Sequence, residues 1–114
     1  MMKEFLFLYR TDYDQMQQEA TPEQMQASLQ KWMDWLGSIA AQNKLVDRGN
    51  RLENSGRVVK KDLVTNGPYA EVKESIGGYS YVKAESYDEA VEMAKSCPIH
   101  ATGGSVEVRE IALM

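Results

Sequence analysis

Cysteine is almost absent from this 114-residue chain: Cys97 stands alone. One thiol forms no internal disulfide, and no Cys-x-x-Cys or Asp-x-His pattern joins it as a metal-binding set. Histidine is as scarce, with His100 the single example. No metal is therefore expected. Basic charge is not in excess either. Thirteen Lys and Arg face seventeen Asp and Glu, for a net charge of -4. A mildly acidic surface repels phosphate backbones, so nucleic acid is not an expected partner. Long apolar runs are missing too. Phe5 to Tyr9 is far shorter than the ~20 residues a spanning helix needs. It also lacks the small-residue cleavage site of a signal peptide. A cytoplasmic protein without a membrane partner is expected. Finally, there is no phosphate loop, nucleophile elbow or dinucleotide fingerprint. Gly77-Gly78 and Gly103-Gly104 lack the strand–glycine–helix context those motifs require, and no cofactor is expected.

What is present describes an ordinary globular chain, 43% hydrophobic and 26% charged. Its length fits one domain over residues 1–114. A chain of this size buries roughly two thirds of its unfolded surface, enough for a core without staples.

The apolar run Phe5 to Tyr9 reads as a strand buried on both faces. Thr11 to Ala20 is polar and reads as a loop. Thr21-Pro22-Glu23-Gln24 is a helix start: a cap, a proline at the first position and a capping-box glutamine. Met25, Leu29, Trp32, Leu36, Ile39 and Ala40 follow at helical spacing, with Met33 and Trp35 on the borders. This predicts a helix to about Gln42 with a wide buried face. Lys44 to Leu52 reads as a strand broken at Gly49, and Arg57 to Thr65 as strand-like. Asn54-Ser55-Gly56 and Asn66-Gly67-Pro68 read as turns. Tyr69 to Ser75 reads as a charged loop, and Ile76 to Ala84 as a strand. Ser86 caps a second helix with Glu89 as its box partner, and Tyr87, Ala90, Val91 and Ala94 form its inner face. Pro98 stops that helix. After a loop from Ile99 to Gly104, Ser105 to Leu113 alternates as a last strand.

This order predicts an α+β fold, a ferredoxin-like β-α-β-β-α-β sandwich. Two helices cover one face of a sheet. The first strand is apolar on both sides, and Tyr79 and Tyr81 point away from Ser80 and Val82. The uncovered face exposes an aromatic patch that soluble monomers rarely carry. A two-fold homodimer is the expected cover.

The run Val64-Thr65-Asn66-Gly67-Pro68-Tyr69-Ala70-Glu71-Val72-Lys73-Glu74, with Ile76-Gly77-Gly78-Tyr79 after it, resembles the signature of the YCII-related family, DGPF type. The ending, Cys97-Pro98 with Gly103-Gly104-Ser105-Val106-Glu107-Val108-Arg109, is similar to that family's ending. Asn66 stands where the family has Asp, and Tyr69 where it has Phe. The resemblance implies a dimeric α/β barrel with two sheets packed face to face. Some members carry a His-Asp pair proposed as catalytic, with the His near the first helix. This chain has no His there, so that chemistry does not carry over. A few members resemble lyases of chlorinated ring diols, and some occur fused to transcription initiation factors.

Each candidate residue has a structural and a functional reading. Asn66 and Tyr69 set a rigid turn or rim a pocket. Glu71 and Lys73 belong to a solvated segment, or act as a base and an anion partner. His100 is a surface histidine or a proton carrier. Trp35 is core or lines a cleft. Tyr79 and Tyr81 share a face, where Glu107 and Arg109 are candidate partners for their hydroxyls. That polar, aromatic space suits a small acidic or aromatic molecule. Three functions stay open: a binding module, a lyase or isomerase working on a small cyclic or enolic acid through Tyr79, His100, Glu71 or Lys73, and a structural or regulatory module linked to transcription initiation.

Overall fold

The apolar run that opens the chain becomes a central strand. A computed structural model describes residues 1–12, 20–67 and 74–113. Strand β1 (Lys3–Asp12) is longer than the run itself and takes in Thr11 and Asp12. It pairs antiparallel with β5 (Glu74–Ala84) on one side and with β6 (Ser105–Glu110) on the other. The short β2 (Leu45–Asp47) adds to the far edge of β5, giving the order β2-β5-β1-β6. Helix α1 (Pro22–Ala41) connects β1 to β2, and α2 (Tyr87–Lys95) connects β5 to β6. The architecture is α+β and matches a ferredoxin-like β-α-β-β-α-β order. A separate hairpin, β3 (Gly56–Lys60) with β4 (Leu63–Gly67), is inserted before β5.

Alternation along β1 sends Phe5, Phe7 and Tyr9 to one face, where all three are buried. Both helices pack there. Phe7 stacks on Trp35 with ring centroids 6.1 Å apart, and Tyr9 meets the edge of Trp32 at 4.7 Å. Ile39, Val82, Ala90, Ala94 and Ile99 complete the core.

The helix starts form as their residues dictate. Thr21 accepts from the Gln24 amide at 3.1 Å, and the Gln24 side chain accepts from the Thr21 amide at 3.0 Å. Ser86 accepts from the Glu89 amide at 3.2 Å. The Glu89 carboxylate does not close the expected box, because it pairs with Lys44 beside β2. Asn43, at φ 60°, turns the chain out of α1.

Several expectations are corrected. The helical stripe is buried only in its second half. Met25, Leu29 and Met33 are exposed, whereas Trp35, placed on the border by spacing, is at the centre. Spacing therefore overstates the buried face of α1. On α2 only Ala90 and Ala94 are buried, and Tyr87 and Val91 are exposed. The stretch Arg57 to Thr65 folds back at Lys61-Asp62 into two strands, so Asn66 and Gly67 are ladder residues opposite Arg57 and Gly56. The segment from Ile99 is a 3-10 turn, Pro98–Thr102, rather than a loop.

Gly49 is fixed by close approach. It has φ +73°, and a Cβ there would collide with the Tyr79 carbonyl oxygen. In urea unfolding, Phe7→Ala is expected to lose about 3–5 kcal/mol, and Leu29→Ala less than about 0.5 kcal/mol. Similar losses at the two positions would contradict this division of α1.

Candidate functional site

The second face of the sheet is built by the other half of the alternation. The β1–β5 register sets Leu6 opposite Tyr81 and Leu8 opposite Tyr79. The β1–β6 register sets Leu6 opposite Arg109 and Leu8 opposite Glu107. Because the side-chain period is two, Leu6, Leu8, Tyr79, Tyr81, Glu107 and Arg109 share one face. The four apolar and aromatic residues are half-buried and take no part in the core described above. Among the described residues, no helix packs on this side.

Charged groups surround that apolar centre. Arg10, two positions beyond Leu8, donates its Nε to Glu107 Oε1 at 2.8 Å. Arg109 donates Nη1 to Glu107 Oε2 at 3.2 Å. Hydrogen bonds from Arg10 and then Arg109 hold the Glu107 carboxyl below the usual carboxylate range, against some desolvation. Tyr81 moves the opposite way. Desolvation, then the Glu4 carboxylate, raises its phenol above the ordinary value. The Tyr79 hydroxyl accepts from Asn50 Nδ2 at 3.3 Å. Asn50 lies on the irregular continuation of β2, where Tyr79 N donates to the Asn50 carbonyl at 3.2 Å.

Three predicted residues, Tyr79, Tyr81 and Arg109, thus come together. The others do not join them. Trp35 sits on the opposite face, 7% exposed, with its indole N–H donated to the Met93 carbonyl at 3.0 Å. His100 is exposed in the 3-10 turn, its Nε2 2.9 Å from the Ala94 carbonyl at the end of α2. Asn66 is exposed on the separate hairpin. Tyr69, Glu71 and Lys73 lie outside the described residues. A shallow concavity of about 200 Å³ is lined by Arg51, Leu52, Glu53 and Asn54, and holds none of the predicted side chains.

Arg10 and Asn50 were missed by sequence reasoning. A signal existed for Arg10: it falls in step with Leu6 and Leu8 at period two. Asn50 had none, because its place depends on the break at Gly49. Cys97 is buried, and burial pushes its thiol up to about 12, which makes it a packing residue rather than a nucleophile. Among the described residues no cluster of three or more His, Cys, Asp or Glu is placed to hold a metal. Among them, too, no helix is long and apolar enough to cross a membrane.

A carboxylate with a lowered folded pKa stabilises the fold above its unfolded pKa, and that contribution disappears as pH falls through the folded value. The melting-temperature gap between wild type and Glu107→Gln is therefore expected to close between about pH 6 and about pH 3. A gap independent of pH would contradict the Arg10–Glu107–Arg109 arrangement. The native Cys97 thiol is expected to resist alkylation at pH 8 and to react only after unfolding.

Comparison with known proteins adds the family. An uncharacterized protein of Rhizobium meliloti (strain 1021) is 38% identical over 52 residues. That stretch is 45% of this chain and 42% of the relative, so the match spans less than half of either protein. The YCII-related domain matches from residue 4 to residue 114. With a match over nearly its whole length, the chain belongs to the YCII-related domain family.

Proposed function

We propose that two copies of this chain pack through the bare sheet face, forming a dimeric α/β barrel, and bind a small acidic or aromatic molecule in the polar space between them. One observation carries this reading. Leu6, Leu8, Tyr79 and Tyr81 stand together on a face that no helix covers among the described residues, rimmed by Arg10, Glu107 and Arg109. An apolar, aromatic centre inside a charged rim is the composition of a protein–protein contact. Two sheets packed face to face stand ~10 Å apart, and side chains of this size leave room at the charged end. There Arg109 is two-thirds exposed and engages Glu107 through one nitrogen. The guanidinium carries five N–H donors in all, so most remain for a ligand carboxylate. The tyrosines supply ring faces and hydroxyls. The single buried thiol suits a reducing, cytoplasmic setting.

Binding is favoured over acid–base catalysis because His100, the one histidine, faces the end of α2 and not this surface. Sedimentation equilibrium at micromolar concentration is expected to give a dimer, and Leu8→Arg a folded monomer. A monomeric wild type would refute the reading. In a thermal-shift screen of aromatic and dicarboxylic acids, at least one is expected to stabilise wild type and not Arg109→Ala. Turnover of that compound, lost in Tyr79→Phe, would favour the lyase or isomerase reading instead.

A further inference from the structure

Among the described residues, the hairpin β3–β4 is a second surface without cover. Its ladder is separate from the four-stranded sheet. Val59 and Val64 are cross-strand partners, so they stand side by side on one face of the ribbon. They are 72% and 60% exposed, and Leu63 at the turn is 55% exposed. A two-stranded ribbon is at best marginally stable alone in water, because it orders its backbone while burying little. The exposure of these three side chains fits a ribbon that stands away from its own core.

Two observations identify what covers it. The first is charge. The ribbon carries Arg57, Lys60 and Lys61 against one acid, Asp62, on a chain whose net charge is -4. A basic ribbon on an acidic chain is attracted to the body of another copy. The second is position. Leu52 N donates to the Gly77 carbonyl at 2.8 Å, and Tyr79 N to the Asn50 carbonyl. The segment entering the hairpin therefore runs along β5 beside Tyr79, and the ribbon follows it after residues 53–55.

We propose that hairpin β3–β4 is an arm that lies against a second copy of this chain, with Val59 and Val64 turned inward. The arm rests on the face-to-face reading above and extends that contact beyond the sheet. Asn66, opposite Arg57 on the ribbon face that holds Val59 and Val64, then belongs to the interface rather than to its own subunit's pocket.

Hydrogen exchange on the full-length protein tests the arm directly. Amides of residues 56–67 are expected to be protected in wild type and to exchange at least about tenfold faster in the Leu8→Arg monomer. The double variant Val59→Ser, Val64→Ser is expected to weaken dimerisation at least about tenfold. Its unfolding midpoint in the Leu8→Arg background is expected to stay unchanged, since both valines are exposed in the lone chain. Equal protection in dimer and monomer, or an unprotected hairpin in the dimer, would overturn the arm. A dimer that Leu8→Arg breaks but the serine pair leaves intact would overturn the arm alone. A monomeric wild type would overturn the face-to-face reading and the arm together.

Discussion

A strand has two faces, and β1 is apolar on both. Phe5, Phe7 and Tyr9 take one side and Leu6 and Leu8 the other, in the middle of a four-stranded sheet. Two connections in the sheet are helical, and both helices pack over the phenylalanine side. This asymmetry of cover governs the molecule. It places a full aromatic core on one side, with Trp32 and Trp35 edge-on to Tyr9 and Phe7 stacked on Trp35. On the other side it leaves an apolar centre that water penalises.

The charged groups follow from the same alternation. Once Leu6 and Leu8 face outward, Arg10 must follow them. The β6 register then brings Glu107 and Arg109 alongside. A lone Glu107 in this partly covered setting would be unfavourable, and two guanidinium neighbours hold it ionised. The result is an anion already paired twice, next to an arginine with donors to spare. The far side of the sheet offers no comparable chemistry. There the Trp35 indole and the Ser80 hydroxyl are each donated to a backbone carbonyl. The Tyr9 hydroxyl is buried beside Ser80, and burial raises its phenol well above the ordinary value.

Much of this was legible from the sequence because it depends on short-range periodicity. The β1 run, the Thr21 and Ser86 caps and the alternation of Val106 to Arg109 are local signals, and each folds as its residues direct. Sharing of a face by Tyr79, Tyr81 and Arg109 needed only period two. Less legible was anything set by tertiary packing. Spacing cannot show that Met25 and Leu29 stay exposed, or that Trp35 lies over Phe7. The hairpin was hidden for another reason. Lys61-Asp62 lacks the glycine or proline that marks a tight turn, so two strands read as one. Gly67 and Pro68 make Asn66 read as a turn residue, whereas it pairs with Arg57.

Small-angle scattering of the wild-type protein in dilute buffer tests the uncovered-face argument most directly. The account predicts a forward intensity corresponding to twice the 12.9 kDa chain. An intensity of one chain, with a radius of gyration near 15.4 Å at every concentration measured, would contradict it.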